Sequence, residues 1–384
     1  MKFNHYFDLL SENYAFGGST EKQSTHSDGL FCETIDLGIG DVPLPLCGDV
    51  TREMAQAAEE MSLASGFKGY SPPSGYSFLK KAIADDYANN NVDLNENEIF
   101  ITDGTKNELL SLFLLFDRGI SVLFPTPCYP AAVEAATICG NEICFAPSDE
   151  NLENYPPFAK KCDVVYLCSP QNPSGKTLSR EKLGLWIEYA LTQNAVIFFD
   201  GAYSRFISDG SPKSIYEIPE AKKCAVEIRS FSKSFGFTGL RLGYTIIPDN
   251  QRALQSIKKR FIGCANNGVS YVTQRGGAAC FTKKSLQEAE KRIRYYTENA
   301  AAIKCTLEKH DIKTVVGNSS PYVYARCPDG FSDDEFCNFL LSQKGIIATA
   351  GNKFYQQNGN YFRLSAFKDR QTIFKACDRL NRGF

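Results

Sequence analysis

Residues 225–247 read AVEIRSFSKSFGFTGLRLGYTII. An apolar run from Ala225 to Phe231 empties into a Ser-Lys-Ser loop, followed by glycines, Arg241 and a second apolar run. A strand-like run with apolar residues at Ala225, Val226, Ile228 and Phe231 predicts a buried strand, so the chain is expected to fold around a buried sheet with this loop just past a strand end. A lysine held there, with hydroxyls beside it and an arginine eight residues on, suits one chemistry well. Its amine can condense with a cofactor aldehyde while the hydroxyls and guanidinium hold that cofactor's phosphate. Lys233 is therefore expected to carry pyridoxal phosphate.

The totals permit such an enzyme and exclude other classes. The 384 residues suffice for two domains, or one large domain with a satellite, and 43% hydrophobic content supports a full core. A net charge of −2 argues against nucleic-acid or anionic-membrane partners. The one basic cluster, Lys258-Lys259-Arg260, reads as a solvated helix face. The 14 cysteines are scattered without a C-x-x-C pair, as in a reduced cytosolic protein that uses Cys as a small hydrophobe. Three distant histidines make a metal site unexpected. No signal peptide is visible, and the run from Leu109 to Phe116 falls far short of the roughly 20 residues a membrane span needs. A cytoplasmic location is expected.

Along the chain, residues 1–34 read as an irregular arm. From Glu98 onward strands and helices alternate: strands at 99–102, 121–124, 143–145, 164–168, 195–200 and 225–231, with helices at 105–116, 130–139 and 179–193 between some of them. This predicts an α/β domain with a mostly parallel sheet of the seven-stranded type, covered by helices. After Asn250 three helical patterns follow. The last, 284–310, has Glu288, Lys291, Arg292 and Glu298 assigned to its exposed face. Strands at 322–326, 346–349 and 361–365 alternate with helices at 333–342 and 372–381, a smaller α+β pattern. The expected division is an arm at 1–45 joining the small domain, a large cofactor-binding domain at 46–285, and a small domain at 286–384.

Parallel α/β sheets gather ligands at the carboxyl ends of their strands. Strand 164–168 ends in SPQNPSG, a turn that holds the Asn172 amide. Strand 195–200 ends in Asp200, with Tyr203 three residues on. Alone, Asp200 reads as a turn or helix cap and Lys233 as a solvated lysine; together they suit one cofactor. A carboxylate beside the pyridine nitrogen keeps it protonated, Asn172 and Tyr203 can bond the phenolic oxygen, and Tyr129 either stacks on the ring or packs in the core. Asp103-Gly104-Thr105-Lys106 opens a helix whose N-terminus favours an anion. Ser230 or Ser232, with Arg241, would add phosphate contacts. Arg363, inside an apolar strand, needs an anionic partner, either a substrate carboxylate or an internal acid.

On the blocks IDLGIGDVPLPL, FKGYSPPSGYSFL, YLCSPQNPSG, IFFDGAYSRFISD, SFSKSFGFTGLRLGY, NNGVSYVTQRG and GNYFRLSAF, the chain resembles fold-type I pyridoxal-phosphate aminotransferases, and within them the LL-diaminopimelate aminotransferase family. The resemblance implies catalytic roles for Lys233, Asp200 and Tyr129. It implies that Asn172, Asp200 and Tyr203 hold the cofactor ring, and that Thr105, Lys106, Ser230, Ser232 and Arg241 hold its phosphate. Lys106, Asn267 and Arg363 would bind substrate, with Gly40 close by. Tyr70 and Tyr14 would reach into a partner subunit's site, which implies a homodimer. The implied substrates are an amino acid and a 2-oxo acid, with 2-oxoglutarate as acceptor. One block departs from the family: its loop reads G-Y-x-x-E-Q-G, with the glutamate reading the distal end of diaminopimelate. Here Pro73 stands in that place and can neither accept a hydrogen bond nor carry charge.

Overall fold

A computed structural model describes residues 1–10, 33–157, 159–315, 317, 319–357 and 359–382; Tyr14 lies outside them. The strands are β1 (Ile35–Asp36), β2 (Ile99–Thr102), β3 (Ser121–Pro125), β4 (Glu142–Ala146), β5 (Val164–Cys168), β6 (Val196–Asp200), β7 (Ala225–Ser230), β8 (Gly243–Ile246), β9 (Tyr322–Arg326), β10 (Ile346–Ile347), β11 (Thr349–Ala350) and β12 (Tyr361–Ser365). The helices that matter below are α1 (Thr105–Phe113), α2 (Pro130–Ile138), α3 (Arg180–Gln193), α4 (Arg252–Ala265) and α5 (Lys283–Glu308).

A seven-stranded sheet runs in the order β2-β8-β7-β6-β5-β3-β4. Every pairing from β7 to β4 is parallel, and β8 is antiparallel to both of its neighbours. The expected mostly parallel sheet is thus present, and the second apolar run of the opening stretch supplies its antiparallel member. Ile197, Phe198 and Phe199 on β6 are fully buried and split between two apolar clusters, one on each side of the sheet. Two-sided burial explains why β5 and β6 read as continuous apolar runs; β7 instead interleaves Glu227 and Arg229, buried as an ion pair at 2.5 Å. Ser179 caps α3 as its sequence predicts, accepting from the Lys182 amide at 3.2 Å.

The C-terminal residues build an antiparallel sheet, β11-β12-β9. The N-terminal strand β1 joins this end of the chain by pairing in parallel with β10, Ile35 opposite Ile346. The strand expected at 346–349 is therefore two: β10 pairs with β1, whereas β11 pairs with β12.

Two surface assignments need correcting. Lys258 is 1% exposed and donates to both carboxylate oxygens of Glu108, at 2.7 and 2.9 Å. Gln255, Lys258 and Ile262 share the buried face of α4, so the basic cluster there is not wholly solvated. Arg292 is likewise buried on α5, where it donates to Leu44 O at 3.0 Å and Pro45 O at 2.6 Å. Those carbonyls belong to the proline-bound connection before residue 46, so this guanidinium ties the entering chain to the long helix.

Candidate active site

Four neighbouring strands deliver side chains to one edge of the large sheet. β7 ends at Ser230 and continues to Ser232 and Lys233; β6 ends at Asp200; β5 leads to Asn172; β3 leads to Tyr129. They line a cavity of about 560 Å³ together with residues from the C-terminal sheet, which is room for a cofactor-sized ligand. Of the expected site residues, Gly40, Thr105, Lys106, Tyr129, Asn172, Asp200, Tyr203, Ser230, Ser232, Lys233, Arg241 and Arg363 all line it.

Lys233 donates from Nζ to the Gly40 carbonyl and lies 5.4 Å from the centre of the Phe367 ring. Burial lowers its pKa, since the charged form loses its hydration. The neutral amine is the form that attacks a carbonyl.

Asp200 is 3% exposed and accepts from Tyr166 Oη at 2.8 Å and from the Ala202 amide at 2.9 Å. Burial pushes its carboxyl above the ordinary range, against the pull of those donors. A carboxylate in this position gains from a cation, which a protonated ring nitrogen supplies.

At the other end, Gly104 precedes α1 with φ at +114°, and a Cβ there would fall 2.4 Å from Arg241 Nη2. Only glycine permits that approach. Arg241 itself is held at φ +57°, a left-handed conformation that costs a non-glycine residue on the order of 1–3 kcal/mol. Its Nη1 donates to Thr238 O at 3.0 Å and to Ser232 Oγ at 3.4 Å. Thr105 Oγ1 is buried without a hydrogen-bond partner among the described residues. A helix N-terminus, an unsatisfied hydroxyl, a serine and a guanidinium form an anion cradle that a phosphate fits. The residues present therefore fit pyridoxal phosphate: the N-terminus of α1 with Arg241 would hold its phosphate, Asp200 its ring nitrogen, and Lys233 would meet its aldehyde.

Arg363 on β12 is 1% exposed. It donates to Asn172 Oδ1 at 2.7 Å and to Gly38 O at 2.6 Å. The guanidinium is thus aimed by an amide of the large sheet and a carbonyl of the N-terminal segment. Tyr203 Oη lies 2.7 Å from Tyr322 Oη.

Two expected residues stand apart from the cavity. Tyr70 is 85% exposed and Asn267 is exposed as well. Three others went unanticipated: Tyr166 beneath Asp200, Phe367 beside Lys233, and Tyr322. A tyrosine inside the apolar run 164–168 was the readable signal for Tyr166, because a buried phenol needs a partner.

The chain matches the family "Aminotransferase class I and II" over residues 33–380. It is 34% identical over 399 residues to an LL-diaminopimelate aminotransferase of Agathobacter rectalis, covering 99% of each chain. It is 35% identical to one of Lawsonia intracellularis, covering 98% of each. Among solved structures, the L,L-diaminopimelate aminotransferase of Chlamydomonas reinhardtii superposes with a TM-score of 0.91 at 29% identity, covering 100% of this chain and 98% of that one.

Proposed function

The chain belongs to the class I and II aminotransferases, and from that premise we propose that it moves an amino group from an L-amino acid to 2-oxoglutarate, using a donor whose distal end is read differently from that of LL-diaminopimelate. The pyridoxal-phosphate-dependent transaminase chemistry is that of the family. The observation that carries the amino-acid and 2-oxo-acid reading is Arg363, an arginine with 1% exposure in the same cavity as Lys233.

When bound, pyridoxal phosphate supplies an aldehyde that takes up the donor's amino group and a ring that stores the electrons left at Cα. The residues of this chain do the rest. With the donor's amino group held by the cofactor, Lys233 Nζ would take the proton from Cα as general base and, once protonated, would serve as the general acid. Asp200 keeps the ring nitrogen protonated. Thr105, Ser230, Ser232 and Arg241 fix the phosphate, with Lys106 near it. Asn172 and Tyr203 hold the phenolic oxygen, and Tyr129 packs on the ring. Arg363 pairs with the substrate α-carboxylate in bidentate fashion, close to Gly40.

The donor's far end is set by the loop at 69–75. Pro73 is exposed and offers no side-chain acceptor or charge where the family carries a glutamate. An ammonium desolvated there loses about 1–3 kcal/mol. A second reading, LL-diaminopimelate itself as donor, is favoured by the two curated relatives. A screen of L-amino acids with 2-oxoglutarate, including LL-diaminopimelate, separates the two on the wild type and on Pro73→Glu. A wild type that prefers LL-diaminopimelate overturns the weight placed on Pro73.

The exposure of Tyr70 and Asn267 suits residues completed by a second copy, so a homodimer with shared sites is part of the proposal, with Tyr14 in the same role. Light scattering that finds only monomers contradicts it. The division at 45/46 and 285/286 belongs to the proposal too, and rests on separate apolar clusters around the two sheets. A cytoplasmic location is likewise proposed; among the described residues no helix is long and apolar enough to cross a membrane.

A further inference from the structure

Tyr322 opens β9, opposite Ser365 in the C-terminal sheet, yet it lines the cavity built on the large sheet. It is 2% exposed. Its ring meets the Tyr203 ring edge-on with centroids 5.5 Å apart, and the Phe367 ring at 5.8 Å. The Arg363 guanidinium carbon sits 4.2 Å from its centroid. Its hydroxyl lies against Gly40, where a Cβ would fall 2.1 Å from the oxygen. Gly40 is thus required to be bare by the Tyr322 hydroxyl, whatever else it does for a substrate.

The two phenol oxygens are 2.7 Å apart, and one proton lies between them. If Tyr203 spends its proton on Tyr322, it presents only lone pairs to the cavity. If Tyr322 donates, the Tyr203 proton is free for the cofactor's phenolic oxygen, which is an acceptor when ionised. A phenol that accepts one hydrogen bond also donates the next more strongly. Burial, and after it the neighbouring Tyr322, holds the Tyr203 phenol well above its ordinary range, so Tyr203 keeps its proton at neutral pH. The groups facing the pair are Lys233 from the loop after β7, Arg363 from β12 and Tyr129 from the turn after β3, while Asp41 from the segment after β1 acts on Lys233.

We infer that Tyr322 is a positioning residue with two tasks: its hydroxyl donates to Tyr203 and so aims the Tyr203 proton at the cofactor's phenolic oxygen, and its ring is the shelf that holds Arg363 toward the substrate carboxylate. One side chain from the C-terminal sheet thereby aligns both the cofactor's partner and the substrate's. The inference rests on pyridoxal phosphate occupying this cavity as described above.

The hydroxyl's task is read from the pH titration of the bound cofactor's visible absorbance, which needs no turnover. Donation to the phenolic oxygen favours the form with more negative charge on that oxygen, so it lowers the midpoint. Tyr322→Phe keeps the ring and loses the donor, and raises the midpoint by about half a unit to one unit. In a Tyr203→Phe background the same change adds no shift, because the route runs through Tyr203. The shelf's task is read from KM: Tyr322→Leu raises KM for both carboxylate substrates roughly three- to tenfold, whereas Tyr322→Phe leaves it near wild type. Should Tyr322→Phe fail to hold cofactor, Tyr322→Gln, which returns a polar tip, carries the titration, and a wild-type midpoint there supports the relay. A yellow wild type whose Tyr322→Phe variant titrates unchanged, or shifts equally without the Tyr203 hydroxyl, overturns the inference alone. A wild type that takes up no pyridoxal phosphate overturns the cofactor reading, and this inference with it.

Discussion

The cavity and the loop at 66–76 lean on the same large sheet and end in opposite conditions. The loop is tied at its base: Ser71 Oγ donates to Val269 O at 2.5 Å, the Ile101 amide to Ser74 O at 3.1 Å, and the Tyr76 amide to Gln274 Oε1 at 2.9 Å. Its tip, with Tyr70, Pro72 and Pro73, is left to solvent. In the cavity, by contrast, Asp200, Asn172 and Arg363 are all nine-tenths buried or more, and each is held by a named partner. The reaction is therefore fixed by strand ends that cannot move without breaking the core. On the proposed reading, the choice of donor falls to the exposed tip. Substitutions in the first region should abolish chemistry or folding, and those in the second should redirect it.

The sharpest break is Lys233→Ala, which removes both the attachment point and the acid–base group. Loss of the latter alone is worth roughly 10²–10⁴-fold, and stopped-flow rates with an L-amino acid would record it along with the loss of yellow absorbance. Lys258→Met tests the foundation under the phosphate end, since its partner Glu108 lies on α1. It leaves the buried Glu108 carboxyl without its cation, with Thr245 Oγ1 as its remaining side-chain donor, costing about 3–5 kcal/mol, read as a fall of the denaturant midpoint. Arg363→Gln should lower kcat/KM roughly ten- to hundredfold through lost charged hydrogen bonds. Pro73→Glu, at the tip, should raise use of LL-diaminopimelate roughly tenfold and leave the cofactor's absorbance unchanged.

The smallest effect concerns pH. Burial holds the Asp200 carboxyl above its ordinary 3.8, so the folded cofactor-free chain keeps a proton that the unfolded chain releases. Its contribution to stability is fully present below that ordinary value and is lost as pH rises through the raised one. Melting temperatures of the cofactor-free protein should decline across that window, less so in Asp200→Asn, and cofactor binding should reduce the decline.

The same contrast governs how much the sequence disclosed. Lys233, Asp200 and Asn172 were legible because each ends or closely follows a strand-like run, and a polar group at a strand's carboxyl end demands a reason. Tyr322 was not, because a tyrosine beginning an apolar strand reads as core. Only the fold that seats the start of β9 beside the loop after β6 brings it to Tyr203. Lys258 and Arg292 were misread as surface because local charge says nothing of a buried carboxylate or carbonyl far along the chain. Tyr70 and Asn267 carry motif signals, yet in one chain they stand outside the cavity.

The central claim is that the strand-end cavity carries out transamination, and a single half-reaction tests it most directly. An L-amino acid added to the yellow protein without any acceptor should discharge the colour once, release one equivalent of 2-oxo acid per site and stop, until 2-oxoglutarate restores the colour. Continued product formation without an acceptor would contradict the account.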